Sequence, residues 1–304
     1  MDALIQSLVQ ANFAPERIAP QASMAQYTTL RIGGPAEVMV NIHSADEIAV
    51  ALRAAKQADA PVTIIGNGSN LLVRDGGIRG LVLRISGGLN AIRREGDCLL
   101  VQAGASLAAV AAFARDEGLS GMAELGGIPG TVGGGVLMNA GAYGAELAQL
   151  VTQAEGVSLS DGRRVIYPAN RLDFAYRHSA LMDAGVVITQ ATLALASGDP
   201  ETIRARMEEC AKARREKQPL TLPSAGSTFK RPEGHFAAKL IDDCGLRGLT
   251  VGGAQVSEKH AGFIVNIGGA TARDMLELMR QVEQRVFEQT GVQLEPEVRI
   301  LGED

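Results

Sequence analysis

Eight of the chain's 36 glycines fall within residues 126–144. That segment reads Gly126-Gly127-Ile128-Pro129-Gly130-Thr131-Val132-Gly133-Gly134-Gly135 and continues through Asn139-Ala140-Gly141-Ala142-Tyr143-Gly144. A second cluster, Gly66-Asn67-Gly68-Ser69-Asn70, directly follows the β-branched run Val62-Thr63-Ile64-Ile65. Each glycine inside a helix costs about 1 kcal/mol relative to alanine, so neither cluster favours regular structure. Both suit loops in which main chain comes close to something, and consecutive glycine N–H groups can form a nest for anionic oxygens. Two such loops can grip a diphosphate from two sides, with Ser69, Thr131 and Asn139 adding side-chain hydrogen bonds. The dinucleotide fold built on fixed glycine spacing is excluded. The G-x-G pairs Gly66/Gly68 and Gly133/Gly135 are followed three residues on by Leu71 and Met138, and no G-x-x-x-x-G-K-[ST] loop occurs.

Composition limits the class further. At 304 residues the length suggests about two domains, and 46% apolar residues suffice for sizeable cores. Lysine and arginine total 29 against 34 acidic residues, a net charge of −5, so neither a nucleic acid nor a membrane surface is expected as partner. The longest uncharged stretch, 125–145, holds Pro129 and the eight glycines and cannot be a membrane helix. Asp2 and the lack of a basic leader argue against a secretory signal. Cys98, Cys210 and Cys244 form no CxxC pair, so a reducing, cytoplasmic setting is expected. His43, His178, His235 and His260 show no H-E-x-x-H, and no metal site is expected.

Helices are expected near 2–12, after the box Ser44–Glu47 and ending before Pro61, from Ser106 to Glu117, over 200–217 behind Asp199, and from Thr271 to Gly291. The last carries Met275, Leu278, Met279, Val282 and Val286 at core spacing. Strands are expected at 62–65, 81–85, 99–101, 186–195, around 262–267 and at 298–301, with a hairpin over 157–167 about Asp161-Gly162. The mixture predicts α+β layers. A domain boundary is expected at Asp199-Pro200. Residues 1–198 then divide into α+β subdomains of about 1–83 and 84–198, followed by a smaller α+β domain, 199–304, whose last strand can return to the first.

The two glycine loops, the preceding Thr28-Thr29-Leu30-Arg31-Ile32-Gly33-Gly34-Pro35-Ala36, and three further motifs in order resemble the UDP-N-acetylenolpyruvoylglucosamine reductase family over residues 23–304. The motifs are Tyr176-Arg177-His178-Ser179, Gly226-Ser227-Thr228-Phe229 and Glu297-Val298-Arg299. No extra tyrosine loop is present, as in the shorter type of the family. The resemblance implies an FAD-binding domain of the vanillyl-alcohol-oxidase type followed by a substrate-binding domain. It also implies reduction of a UDP-sugar enolpyruvyl ether by NADPH through FAD, in peptidoglycan precursor synthesis. Carried over, Arg177, Ser227 and Glu297 are catalytic. Gly66, Asn67, Gly68, Ser69, Asn70, Gly127, Ile128, Pro129, Gly130, Thr131, Gly133, Gly134, Asn139, Gly141, Ala142 and Gly144 hold FAD. Tyr176, Lys217, Lys230, Arg231, Lys239 and His260 bind the UDP-sugar; many members have asparagine where this chain has Arg231.

The residue types suit the implied chemistry. Hydride delivered to the vinyl C3 pushes electrons toward the substrate carboxylate, where a planar, permanently charged guanidinium stabilises the growing anion. A carboxyl there must carry its proton or bridge to a cation, since a bare carboxylate would repel that anion. C2 is a strongly basic carbon, so a hydroxyl as weakly acidic as that of Ser227 can protonate it. An alternative is another flavin-dependent oxidoreductase of the same fold acting on a small alcohol or sugar. Many of those tether flavin through His or Cys near a glycine loop, whereas neither His43 nor Cys98, the nearest such residues in sequence, adjoins either loop. Ser227 to Lys230 formally reads S-x-x-K, but no S-D-N or K-T-G accompanies it.

Overall fold

Five of the seven α-helices begin at a side-chain cap in the computed structural model, which describes residues 1–304. α1 (Asp2–Gln10) precedes α2 (Ala45–Gln57), whose Ser44 hydroxyl accepts the Glu47 N–H at 3.3 Å. The expected box closes only halfway. The Glu47 carboxylate accepts instead from the His43 N–H at 2.8 Å and from the Arg17 guanidinium at 2.6 and 2.9 Å. α3 (Leu107–Asp116) is capped by Ser106, and α4 (Val132–Leu137) by Thr131. α5 (Pro200–Lys217) opens behind Asp199, whose carboxylate accepts the Thr202 N–H at 2.8 Å. α4 lies inside the long glycine segment, where the sequence predicts a loop. Three of its six residues are glycine, so the turn rests on the Thr131 cap and on burial of Val132 and Val136 rather than on propensity.

The chain forms two compact units. Residues 1–20, 38–67 and 80–213 make up the first, and residues 21–37, 68–79 and 214–304 the second. In the first unit, Val62–Ile65 pairs in parallel with Leu81–Arg84. A five-stranded antiparallel sheet runs in the order Arg164–Pro168, Val151–Ser158, Val186–Ala194, Cys98–Gln102, Ile92–Glu95. Its first two strands are the hairpin expected about Asp161-Gly162, with Gly162 at φ 71°. Burial alternates along Cys98–Gln102, with Leu99 and Val101 in an aliphatic core shared with Leu83, Leu107, Val136 and Leu193.

In the second unit, α6 (Ala237–Asp243) and α7 (Ala272–Thr290) bury an aliphatic core. The α7 box is reciprocal: Thr271 Oγ1 accepts the Asp274 N–H at 3.1 Å and Asp274 accepts the Thr271 N–H at 3.0 Å. Gly291 ends the helix at φ 73°. All five residues of the α7 stripe are buried against Leu30, Ile32, Leu72, Leu240 and Ile241. Each contributes about 1.5–3 kcal/mol by leaving water. Thr250–Val251, Ala254–Val256 and Ile264–Asn266 form an antiparallel sheet, and the last strand, Arg299–Leu301, pairs in parallel with Leu71–Val73. No helix is long and apolar enough to cross a membrane.

The compact units therefore differ from a contiguous division at residue 198. Segments 21–37 and 68–79 join the C-terminal third through contacts remote in sequence. Thr29 Oγ1 donates to the Ser224 carbonyl at 2.7 Å, and Asn266 Nδ2 to the Leu30 carbonyl at 3.1 Å. The Asp75 carboxylate accepts the Ala272 and Arg273 N–H groups at 2.8 and 3.0 Å. Asp75→Ala removes both bonds from the first turn of α7 and is expected to destabilise this unit by about 2 kcal/mol. Urea unfolding checks this: the midpoint falls while the m-value holds.

Candidate active site

In the first unit the strand Val62–Ile65 delivers Gly66 against Thr131. A Cβ at Gly66 would stand 2.6 Å from Thr131 Oγ1, so only glycine lets the two loops approach this closely. Asn67 Nδ2 donates to the Pro129 carbonyl at 3.4 Å, and Ser86 Oγ to the Gly66 carbonyl at 3.1 Å. Between them opens a cleft of about 110 Å³ lined by Gly66, Thr131, Gly133 and Gly134, with apolar walls from Ile65 and Ile188.

The expected nest is altered within α4. The Val132 and Gly133 N–H groups donate to the Ala105 and Ala103 carbonyls, both at 2.8 Å, and those of Gly134 and Gly135 donate to Thr131. Gly133 thus supplies clearance, since a Cβ there would stand 2.9 Å from that of Ala103, and the Gly133 and Gly134 N–H groups are both taken up within the protein. Gly141-Ala142 pairs with Ala145-Glu146 in a hairpin tipped by Tyr143 and Gly144, both at positive φ as a primed two-residue turn requires. The Asn139 side chain is also engaged within the protein. Its Nδ2 donates to the Ala175 carbonyl at 3.0 Å and its Oδ1 accepts the Ala148 N–H at 2.9 Å, so the protein itself engages both ends of the amide.

Tyr176 and Arg177 occupy a tight turn closed by mutual backbone bonds between Ala175 and His178 at 3.1 and 3.2 Å. Arg177 sits at φ 54°, and its guanidinium carbon lies 5.0 Å from the Tyr176 ring centroid.

The second unit contains the rest of the first loop. Gly68 stands at φ 63°, and a Cβ there would strike the Tyr27 carbonyl. Asn70 Nδ2 donates to the Glu297 carbonyl at 3.1 Å, and the Asn70 carbonyl accepts the Arg299 N–H at 3.0 Å. The segment after Gly226 is held on two sides. Thr228 N–H donates to the Gly262 carbonyl at 2.9 Å, and Thr228 Oγ1 accepts the Ile264 N–H at 3.0 Å. On the other side, Glu297 N–H donates to the Thr228 carbonyl and Lys230 N–H to the Glu295 carbonyl, both at 2.8 Å. Ser227 and Glu297, remote in sequence, thus lie on neighbouring extended segments, Ser227 exposed and Glu297 half-buried. Buried Thr228 makes this pairing, and the sequence offered only its place inside the Gly226–Phe229 motif.

Among the expected UDP-sugar residues, Lys217 is exposed at the end of α5 and Lys230 pairs with Glu295 at 3.1 Å. Lys239 bridges both Asp243 oxygens at 2.8 and 2.9 Å. The Arg231 guanidinium lies 4.7 Å from the exposed Phe236 ring centroid. His260 Nδ1 accepts the Gly262 N–H at 3.2 Å, and its ring packs edge-on against Phe263. Burial pushes this imidazole below its ordinary 6.5, so at neutral pH it is an uncharged Nε2–H donor. The unfolded chain therefore binds the extra proton first. Its contribution to stability is intact above about 6.5 and is lost as pH falls below that value. His260→Asn keeps an acceptor for Gly262 without titrating. Denaturation midpoints between pH 7 and 5 should decline less steeply in that variant.

Residues 36–166 match the model of an FAD binding domain. Together with the glycine-lined cleft beside Thr131, this defines a flavin-dependent oxidoreductase with an α+β FAD-binding domain of the vanillyl-alcohol-oxidase type. Residues 218–301 match the C-terminal domain of UDP-N-acetylenolpyruvoylglucosamine reductase. The enzyme of that name from Pediococcus pentosaceus is 47% identical over 98% of this chain and 99% of its own length. That from Clostridium beijerinckii is 44% identical over 96% and 95%. The crystal structure of the Thermus caldophilus reductase superposes with a TM-score of 0.80 at 38% identity, covering 92% of this chain and 97% of that one. The chain belongs to the UDP-N-acetylenolpyruvoylglucosamine reductase family.

Proposed function

We propose that this chain catalyses the NADPH-dependent reduction of UDP-N-acetylglucosamine enolpyruvate to UDP-N-acetylmuramate in peptidoglycan precursor synthesis. The observation that carries the reading is the bond from Glu297 N–H to the Thr228 carbonyl, which lays the backbone segments of Ser227 and Glu297 alongside each other where Asn70 ends the first glycine loop. Bound FAD supplies the hydride relay from NADPH to the substrate. The lining suits one part of such a cofactor, with main chain brought close at Gly66, where a Cβ would strike Thr131, and apolar walls at Ile65 and Ile188. Gly66–Asn70, Gly127–Thr131 and the Gly141–Gly144 hairpin would hold it. Residues 1–198 would thus serve FAD and residues 199–304 the UDP-sugar.

In this reading the Arg177 guanidinium meets the substrate carboxylate as negative charge gathers there. The Ser227 Oγ–H then delivers a proton to C2, balancing the hydride taken at C3. Glu297 holds a proton or bridges to a cation beside that carboxylate. Lys217, Arg231 and Lys239 face the anionic diphosphate, Tyr176 offers a stacking face, and His260 offers a neutral N–H. Water or Lys230, which pairs with Glu295, would reprotonate Ser227. The absence of a membrane-crossing helix and three free cysteines support a cytoplasmic setting.

Glu297 gives the first test. Glu297→Gln keeps a hydrogen-bond donor, an amide N–H in place of the carboxyl O–H, and should slow turnover less than Glu297→Ala, by roughly tenfold against a hundredfold or more. Steady-state kcat for the two variants decides it, and the reverse ranking would exclude a proton-bearing carboxyl.

A further inference from the structure

We infer that Asn139, with Ser179, is a positioning residue that fixes the Tyr176-Arg177 turn to the end of α4 and so sets where the guanidinium stands. This rests on the reading of Arg177 as catalytic. Asn139 is 1% exposed and sits at φ 42°, a conformation asparagine tolerates better than most residues. Its amide reaches two ways, donating to the Ala175 carbonyl at 3.0 Å and accepting the Ala148 N–H at 2.9 Å. Ser179, 0% exposed, donates its hydroxyl to the carbonyl of Leu137, the last residue of α4, at 2.8 Å. Residues on both sides of the turn are therefore hung from residues 137–139, immediately after the helix whose first turn lines the cleft. The turn holds Arg177 at φ 54°, which a residue with a Cβ leaves readily when its surroundings loosen. Displacing a reacting group by 1 Å costs about a hundredfold in rate. A polar side chain beside a glycine loop reads from sequence as a ligand; here the geometry assigns it to holding another part of the site.

The test separates the two half-reactions. Asn139→Asp keeps the acceptor for Ala148 and the tolerance of positive φ, but sets an oxygen against the Ala175 carbonyl in place of the donor. Anaerobic stopped-flow absorbance should show full flavin content and bleaching by NADPH within about threefold of the parent. Reoxidation by the UDP-enolpyruvyl sugar should be slower by roughly ten- to a hundredfold, in kcat rather than KM. Added to Arg177→Ala, the same change should slow reoxidation no further. Equal slowing of both half-reactions, loss of flavin, or effects that multiply with Arg177→Ala would overturn the positioning role. Should Asn139→Asp not fold, Ser179→Ala decides by the same split, and parent-like reoxidation there would overturn it. Arg177→Ala at the parent rate would remove the reading beneath the proposal and the proposal with it. An unimpaired Asn139→Asp beside a crippled Arg177→Ala would remove the proposal alone.

Discussion

Ser227→Ala is expected to be bleached by NADPH at the parent rate and then to stay bleached when the UDP-enolpyruvyl sugar is added. Reoxidation should slow by roughly 10²–10⁴-fold, the range for losing a positioned general acid. The protein should remain folded, because the backbone bonds that hold this segment belong to Thr228 and Lys230 rather than to the serine side chain. Ser227 is exposed, so losing its hydroxyl should change stability by no more than about 0.5 kcal/mol. Single-turnover absorbance and a urea curve on one preparation give both numbers. Reoxidation at the parent rate would assign the C2 proton to another donor.

Arg177 should show the opposite of a structural residue. Arg177→Ala removes the charge proposed to meet the substrate carboxylate, and reoxidation should fall by roughly 10²–10³-fold, about 3–4 kcal/mol in the barrier. Arg177→Gly should be equally inactive yet no less stable than the parent. The native φ of 54° costs a side-chain-bearing residue roughly 1–2 kcal/mol, and glycine escapes that cost while losing a similar amount to its freer unfolded chain. Activity and stability are thus expected to part company at this position. A destabilised Arg177→Gly that still reoxidised at the parent rate would show that the residue shapes the turn and nothing more.

Local structure was legible wherever a few neighbouring residues decide it. Asp199-Pro200 and the Thr271–Asp274 box announce α5 and α7, and the α7 stripe is the buried face. α4 was not legible, since three glycines outweigh its cap in any propensity sum and only burial of Val132 and Val136 rescues the turn. The grouping of residues 21–37 and 68–79 with the C-terminal third was hidden as well. It rests on bonds such as Thr29 to Ser224 and Asp75 to α7, which leave no local pattern. At the site, glycine clustering pointed to the cleft, and the family motifs named Ser227 and Glu297. What the Asn70 and Asn139 side chains hold within the protein was not legible, because an amide next to a loop looks the same whether it holds a ligand or holds the protein. Their partners, the Glu297 and Ala175 carbonyls, are backbone atoms that any residue would supply.

The central claim, that this chain passes a hydride from NADPH through bound flavin to a UDP-linked enolpyruvyl ether, is tested most directly by one anaerobic titration. The purified protein should be yellow and should bleach with one equivalent of NADPH. Its colour should return with one equivalent of UDP-N-acetylglucosamine enolpyruvate as UDP-N-acetylmuramate forms in equal amount. A protein that carries no flavin, or one that bleaches and stays colourless with that substrate, would contradict it.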